Sequence, residues 1–596
     1  MMYASVRLTA TCLFALLGVA TVLPPAGVQA IAVPSCVGDC NGDGMVTVDE
    51  LIRGINVALG TLPVSACPVF DSSSDGLVTV DEIVTAVANG LIGCPIVPTA
   101  TATVTATMTV TSGASTTPTA TQTPVPLQGV TVLIATGMRI YNLSTRVTSV
   151  TTPILSPSGA VLDVVEVTTN QTETTQLLLT LAPGDGFPVV LGEGQTIPNS
   201  TAMIGSIAQP NAKLAGTFAF VDAESGASLL QVDDDDTITP VLGLGAAGAR
   251  ASFESRSFVV PVGDGFVVAD VFAPGGNRAL LAVDLDSTNA PIALVARGES
   301  LSYRDGAGDT VEGTVTQIGT FFAASGSATA ALVLDDTIPA LASFSFNDTM
   351  LLDRRVVFVA GTQAPTLNAG ATFEEFDGGV RIGGMEGNGA RGFLTFLSGT
   401  EFPGFSDSAV YITDADYVPL AVVQAGTAVP DVAEATIDGP RAPVMGLRGA
   451  AVGFMLVDDD SERTAIGFVD YETQGFRTLV KAGDTAPGGG TFTNIPPAFA
   501  INANGDLIFR GDFGGGQSAY YAVSTNTAGA ELRRLVGTGD SVAVPEGGSA
   551  VITSLGLIPA TGGLGGEATA VGATHFSVTA SLDNEEGAVL LVEVGE

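Results

Sequence analysis

Two twelve-residue stretches near the N-terminus carry oxygen-bearing side chains at a spacing that suits a hard cation. Residues 39–50 read DCNGDGMVTVDE, and residues 71–82 read DSSSDGLVTVDE. A calcium loop of this length supplies side-chain oxygens from positions one, three, five and twelve and a backbone carbonyl from position seven. It needs a glycine at position six for a sharp turn, and Gly44 and Gly76 stand there. The sequence therefore predicts two Ca²⁺ sites.

Each predicted site draws on six residues of its loop, with the threonine acting directly or through water. The first set is Asp39, Asn41, Asp43, the carbonyl of Met45, Thr47 and Glu50. The second set is Asp71, Ser73, Asp75, the carbonyl of Leu77, Thr79 and Glu82. Because Ser73 offers neither a charge nor an amide oxygen, we expect the second loop to bind more weakly. The alternative is an acidic, glycine-rich turn that binds no metal.

A helix is predicted after each loop but not before it. Prolines and cysteines crowd the residues ahead of both loops, and Pro63 and Pro68 exclude a helix there. Helices fit over residues 50–59 and 81–88, each followed by a glycine. Their apolar stripes, Leu51, Ile55 and Leu59 in one and Ile83, Val87 and Leu91 in the other, predict that the two helices pack together.

This duplicated loop-and-helix unit over residues 36–94 resembles the dockerin family of paired EF-hand loops. The resemblance implies a calcium-folded module that docks onto a cohesin or another surface protein. Two features depart from the family pattern. Position twelve is Glu50 and Glu82 where cellulosomal dockerins usually carry Asp, and positions ten and eleven read Val-Asp where cohesin-reading dockerins tend to have small hydroxylic residues. The departures bear on the cohesin partner more than on the metal site.

The N-terminus predicts export. Arg7, an apolar run over residues 13–23 and small residues before a cleavage point after Ala30 form a signal-peptide pattern. The apolar run is shorter than the ~20 residues that a membrane span needs, so we expect a secreted, extracellular or cell-surface bacterial protein with no membrane span after cleavage. Four cysteines remain in the exported chain, namely Cys36, Cys40, Cys67 and Cys94. They predict two disulfides with three possible pairings; a zinc site is the weaker alternative because no His lies nearby.

The charge of the chain argues against nucleic acid as a partner. The 596 residues carry 61 Asp plus Glu against 22 Lys plus Arg, for a formal net charge of −39, and there is no Trp. Such a chain repels polyanions. Residues 97–128 are rich in Thr, Pro and Ala, a composition that favours an extended linker.

Residues 129–596 predict a repeat domain built from β-strands. Short apolar runs alternate with Gly and Asp turns. An apolar strand followed by a glycine and a polar residue recurs, with successive spacings of 51 to 65 residues. The recurring glycines are Gly137, Gly194, Gly245, Gly298, Gly361, Gly426, Gly483 and Gly539. Four strands per period indicate the blades of a β-propeller, so we expect a seven- or eight-bladed β-propeller closed by a strand over residues 130–135.

One repeat resembles a secreted bacterial tandem-repeat family named for its N-x-x-G-x-x-A-F motif. The segment over residues 502–509 reads NANGDLIF, and it follows KAGDTAPGGG at residues 481–490. Position seven is Ile508 where the motif has Ala, and the other repeats, such as residues 156–159, match only loosely. That family implies no activity.

The sequence contains no nucleophile elbow, paired metal-ligand His or phosphate loop. The only His, His575, lies in a strand pattern, and the acidic runs at 233–236 and 458–460 are typical of solvated turns, with Ca²⁺ binding as the alternative. The prediction is a multi-domain, secreted, non-enzymatic calcium-binding protein: a small α module tethers a large all-β interaction domain to a surface protein or a polysaccharide. The alternative is a carbohydrate-active propeller enzyme carried by a dockerin, since two carboxylates facing the channel suffice for glycoside hydrolysis.

Overall fold

The computed structural model describes scattered residues of the N-terminal part and most of the remaining chain. The described residues are 37, 40, 46, 48–58, 62, 64, 67–70, 78, 79, 82, 83 and 86, and then 127–595 with gaps, of which the longest are 182–188, 247–254, 383–389, 400–406 and 563–573. The predicted signal segment, residues 1–30, and nearly all of the predicted linker lie outside them. The chain divides into two compact units, Met1–Ala120 and Thr121–Glu596.

The first unit contains the helix predicted after the first loop. Helix α1 (Val48–Ala58) begins at the tenth loop position and confirms the helix predicted over 50–59. A 3₁₀ turn, Pro68–Phe70, stands directly before the second loop. Glu82, Ile83 and Ala86 are helical, as predicted for residues 81–88. No helix within the described residues is long and apolar enough to cross a membrane.

The core of this unit differs from the predicted stripe on α1. Ile55 is 43% exposed, so the prediction that it faces the second helix is wrong. The buried face of α1 instead passes through Glu50, Gly54 and Val57. The cause is Phe70, whose ring is fully buried and lies so close to Gly54 that a Cβ there would stand 2.3 Å from it. The cluster joins residues from both predicted helices, as expected, and comprises Val57, Cys67, Phe70, Val78 and Ala86.

A disulfide joins Cys40 of the first loop to Cys67 just before the second loop. Their Cα atoms are 5.1 Å apart, within the range that a disulfide requires. This bond settles one of the two predicted pairings. Cys36 and Cys94 lie outside the described residues.

The second unit consists of antiparallel sheets that follow one another along the chain. Eight sheets of four or five strands are formed by the described residues, which decides between the seven and eight predicted blades. Strand β1 (Val130–Ala135) does not belong to the first sheet: it pairs with the last strand of the chain, Val130 opposite Val592 and Ala135 opposite Ala588. This pairing confirms the closing strand predicted over 130–135.

The first four blades occupy residues 146–359. Blade 1 contains β2 (Arg146–Val150), β3 (Ile154–Leu155), β4 (Val161–Thr169), β5 (Glu173–Leu181) and β6 (Val189–Gly192). Blade 2 contains β7 (Ser206–Ile207), β8 (Asn211–Lys213), β9 (Gly216–Ala223), β10 (Gly226–Val232) and β11 (Ile238–Gly243). Blade 3 contains β12 (Ser255–Val262), β13 (Phe266–Ala273), β14 (Asn277–Asp284) and β15 (Ile292–Ala296). Blade 4 contains β16 (Ser300–Arg304), β17 (Thr310–Ala324), β18 (Ser327–Leu334), β19 (Ile338–Phe346) and β20 (Leu351–Val359).

The last four blades occupy residues 372–593. Blade 5 contains β21 (Thr372–Ile382), β22 (Arg391–Ser398), β23 (Ser408–Thr413) and β24 (Pro419–Gln424). Blade 6 contains β25 (Thr436–Asp438), β26 (Val444–Met445), β27 (Gly449–Asp458), β28 (Ser461–Asp470) and β29 (Phe476–Lys481). Blade 7 contains β30 (Phe499–Ile501), β31 (Asp506–Asp512), β32 (Ser518–Ser524) and β33 (Arg533–Gly537), with β36 (Thr561–Gly562) parallel to β30. Blade 8 contains β34 (Ser541–Ala543), β35 (Ser549–Leu555), β37 (His575–Leu582) and β38 (Ala588–Glu593), and it takes in β1.

The apolar cores lie between the blades and close the arrangement into a ring. Seven clusters of buried residues each join one blade to the next, from blades 1 and 2 through to blades 7 and 8. The remaining cluster joins blade 8 back to blade 1, with Val589 packing against Val161 and Val165. Because each sheet buries both faces against its two neighbours, the fold is an eight-bladed β-propeller.

The recurring glycines make the turns between blades. All eight have φ between 80° and 97°, a conformation that side chains other than glycine rarely adopt. At seven of them the glycine N–H donates to a carbonyl that leads into the next blade, at 2.7–2.8 Å, as in Gly298 to Val315. The polar residue after the glycine completes the turn with its side chain: the Asp484 carboxylate accepts from the Lys481 N–H at 3.0 Å. The recurring pattern of an apolar strand, a glycine and a polar residue is therefore the connection between two blades.

Candidate functional site

The two carboxylates predicted at position twelve of the calcium loops are both buried. Glu50 is 4% exposed and Glu82 is 5% exposed. Glu50 Oε1 accepts a hydrogen bond from the N–H of Cys40, the second residue of its own loop, at 2.9 Å. Glu82 Oε2 accepts from the N–H of Thr79 at 2.9 Å and from its hydroxyl at 3.1 Å. Each glutamate therefore turns back onto the loop that it ends.

The other predicted ligands are not described by the structure. Asp39, Asn41, Asp43, Met45, Thr47, Asp71, Ser73, Asp75 and Leu77 lie outside the described residues. Within the described residues, no group of three or more His, Cys, Asp or Glu side chains is placed to hold a metal ion. Val46 and Val78, at position eight of the two loops, are each 8% exposed. The two Ca²⁺ sites stay a prediction.

The charge of the segment that holds the loops is strongly one-sided. Residues 31–96 contain eight Asp and Glu and a single basic side chain, Arg53, with no Lys or His. Burial of an ionised carboxylate is costly unless a positive charge lies nearby. A divalent cation in each loop is the most direct way to supply that charge, so the residues present fit the predicted metal.

The N-x-x-G motif of blade 7 forms a turn. Asn502 is 1% exposed, and its Oδ1 accepts from the Asp506 N–H at 2.7 Å. Gly505 has a φ of 83°, and its N–H donates to the Asn502 carbonyl at 3.1 Å. The hydroxyl of Thr525 donates to the Gly505 carbonyl at 2.7 Å. Asn and Gly are thus fixed by the hairpin between β30 and β31.

The acidic runs begin as turn residues. Asp233 accepts from Gln231 Nε2 at 2.9 Å in the connection between β10 and β11. Asp458 ends β27, accepts from the Ser461 hydroxyl at 2.8 Å and forms an ion pair with Arg463. Residues 234–236 and 459–460 lie outside the described residues, as do residues 156–159.

His575 is the first residue of β37, as its strand pattern predicts. Its Nδ1 shares a hydrogen bond with the hydroxyl of the neighbouring Thr574 at 2.9 Å.

A buried carboxyl group in blade 1 was not anticipated from the sequence. Asp163 of β4 is 0% exposed, and burial raises its pKa to about 7 even though Thr151 donates to it. The Thr151 hydroxyl donates to Asp163 Oδ1 at 2.6 Å, while Oδ2 has no hydrogen-bond partner among the residues that the structure describes. By the two-residue period of a strand, Asp163 shares a face with Val161 and Val165 of the cluster between blades 8 and 1. The signal in the sequence is one acid within the apolar run VLDVV.

The described residues 127–595 thus define a β-propeller with eight blades. A family model described as a family of unknown function (DUF7453) matches residues 292–575, from the last strand of blade 3 to the start of β37. No curated protein matches the chain.

Solved structures that resemble the chain do so only distantly. An oligogalacturonate lyase in complex with manganese is 10% identical, covering 68% of this chain and 98% of its own, with a TM-score of 0.32. An oligogalacturonate lyase from Vibrio parahaemolyticus is 11% identical, covering 67% and 99%, with a TM-score of 0.31. An uncharacterized protein from Listeria monocytogenes EGD-e is 10% identical, covering 57% and 82%, with a TM-score of 0.25. At these scores none of them bears on the function of this chain.

Proposed function

We propose that this chain is a secreted calcium-binding protein whose dockerin-like head, residues 31–96, folds on two Ca²⁺ ions. The head tethers the eight-bladed propeller to a surface protein, and the propeller serves as a non-enzymatic binding platform. One observation carries the proposal: Glu50 and Glu82, the last residues of both loops, are buried in a segment with eight acidic side chains and one Arg.

Calcium and folding are coupled in such a head. The described core is small, and it centres on Phe70 and Val57. A module of about sixty residues buries too little apolar surface to be robust by itself. Oxygen ligands gathered from two loops add binding free energy that is at the same time folding free energy. The Cys40–Cys67 disulfide links the first loop to the segment just before the second loop and reduces the entropy of the unfolded segment.

The proposal predicts two Ca²⁺ ions per chain. Isothermal titration of the full chain with CaCl₂ measures the number directly. Glu50→Gln keeps the size of the side chain but removes its charge, so we expect the first site to weaken at least tenfold. Asp49→Asn is the matched control, because it makes the same change of charge at the neighbouring position, which is not a predicted ligand.

The tethering role is tested by capture from the surface fraction of the producing organism. We expect the full chain to retain a surface protein in Ca²⁺ and to release it in EDTA, with Glu50→Gln impaired and Asp49→Asn normal. Two results would contradict the proposal. One is capture that is unchanged by EDTA and by Glu50→Gln, and the other is a titration without two stoichiometric Ca²⁺ sites.

A further inference from the structure

A cavity of about 380 Å³ opens on blade 7, within the roughly 300–1,000 Å³ that is typical of small-ligand sites. One wall is the blade connection after β29, residues 487–491. A second wall is the loop between β31 and β32, around residues 513–517. Residues of β32 and β33 complete the lining, among them Ser518, Tyr521 and Arg534.

The first wall is open because this blade connection lacks side chains that its counterparts have. In four connections a proline follows the turn glycine by four residues, at Pro198, Pro365, Pro430 and Pro487. The next three residues are Asn-Ser-Thr, Thr-Leu-Asn and Asp-Val-Ala in the first three, but Gly488–Gly490 in the fourth. A Cβ added at Gly489 would meet no atom within 4 Å. The glycines therefore leave room that the other repeats fill.

Polar groups on the opposite side of the cavity are held ready to form hydrogen bonds. Ser518 is 9% exposed, and its hydroxyl makes no hydrogen bond within the described residues. The guanidinium of Arg534 is fixed by two hydrogen bonds of 2.9 Å to the Asp540 carboxylate. An Arg has five N–H donors, so some N–H groups of Arg534 are still available to a ligand.

An aromatic face completes the site. Phe513 is only half-buried; its ring packs against the backbone of Gly490, where a Cβ would stand 3.4 Å from Cδ1. The ring centroid lies 5.4 Å from that of the buried Phe492, which supports it from behind. No Asp or Glu is among the described residues that line the cavity, which disfavours a metal ion or an amine as its ligand.

These features select one chemical class of ligand. An apolar ligand would leave the Ser518 hydroxyl without a partner, at a cost. A polyanion is opposed by the net charge of −39, and the Arg534 charge is already compensated by Asp540. A neutral sugar combines hydroxyl groups with an apolar C–H face that can lie on an aromatic ring.

We propose that the blade 7 cavity binds one residue of a neutral saccharide, with Phe513 against the sugar face and Ser518 and Arg534 bonded to its hydroxyls. This inference rests on the proposed role of the propeller as a binding platform and names its ligand class.

The test is isothermal titration of the full chain with neutral hexasaccharides, namely cellohexaose, xylohexaose and mannohexaose, and with one acidic hexamer of uronic acids. We expect at least one neutral hexamer to bind and the acidic one to bind at least tenfold more weakly. Phe513→Ala should weaken neutral binding by about tenfold, and Phe513→Tyr should restore it because an aromatic face is kept.

A second variant tests the cavity without removing a contact. Gly489→Asn fills the open wall and should abolish binding. Gly529→Asn is its matched control, since Gly529 also has positive φ and open space but lies in the β32–β33 connection away from the cavity lining. Absence of binding by every neutral hexamer, preference for the acidic hexamer, or equal binding by Gly489→Asn and Gly529→Asn would overturn the inference.

Titration in EDTA separates this inference from the proposed role of the head. Because the cavity contains no predicted calcium ligand, saccharide binding should be unchanged in EDTA. Retained saccharide binding without two Ca²⁺ sites would refute the head proposal alone. Two Ca²⁺ sites without saccharide binding would refute the cavity alone.

Discussion

The buried Asp163 predicts a dependence of propeller stability on pH that one substitution should remove. Its pKa is about 7 in the folded chain, against 3.8 for an ordinary Asp, because burial disfavours the charged form. The folded state therefore binds one more proton than the unfolded state between pH 3.8 and about pH 7. Stability is highest below this window and falls as the pH rises through it.

The magnitude follows from the size of that window. One pKa unit corresponds to 1.36 kcal/mol of unfolding free energy, so the unfolding free energy falls by about 4 kcal/mol across the whole pH window. A measurement that starts at pH 5 avoids the isoelectric point near 4.1. Between pH 5 and about pH 7 the unfolding free energy should still fall by about 3 kcal/mol. An unfolding entropy of about 2.1 cal/mol/K per residue makes 1 kcal/mol equivalent to about 1 °C for a propeller of this length. The expected fall in Tm is about 3 °C.

Asp163→Asn removes the charge and can keep the acceptor for Thr151. Its added N–H donors impose a cost, but that cost does not change with pH. Differential scanning calorimetry of the full chain from pH 5 to pH 8 should therefore show the wild type losing about 3 °C relative to the variant. Glu166→Gln, on the same strand but only half-buried, controls for the loss of one negative charge. Parallel curves for wild type and Asp163→Asn would refute the reasoning.

Two further predictions concern glycines. Gly361→Ala should lower propeller stability by about 1–2 kcal/mol, because φ is 83° and no atom lies within 4 Å of the added Cβ, so that only backbone strain changes. Calorimetry should show a smaller loss for Gly361→Asn, and equal losses for Ala and Asn would count against strain as the cause. Gly54→Ala should destabilise the head by about 1–3 kcal/mol through its clash with Phe70. Hydrogen exchange should detect the loss locally, and the double variant Gly54→Ala with Phe70→Leu should recover part of it; a double variant no better than the single one would exclude the clash.

Much of the propeller could be predicted because each repeat contains a glycine at a position where other residues are rarely tolerated. Each blade connection needs a residue at positive φ, so a glycine at a steady spacing marks every blade, even where the strands are irregular. The closing strand could also be predicted, because the apolar run over residues 130–135 lies ahead of Gly137 and had no other strand to pair with.

Other features depend on contacts between distant residues, which one sequence does not reveal. Ile55 fits the helical stripe, yet it is exposed because Phe70 occupies the face at Gly54. Asp163 resembles any strand acid until the neighbouring blade covers it. The blade 7 cavity requires two loops and two strands to meet, and only the run Gly488–Gly490 hints at it in the sequence. The position-twelve glutamates were predicted from spacing alone, and their burial is what the structure adds.

Hydrogen exchange on the full chain, read by mass spectrometry in Ca²⁺ and again after exhaustive chelation, distinguishes a head that folds on calcium from one that folds without it. The account predicts that peptides from residues 31–96 exchange slowly only in Ca²⁺, while peptides from residues 129–596 exchange alike in both conditions. Equal protection of residues 31–96 after chelation, with the disulfides intact, would contradict it.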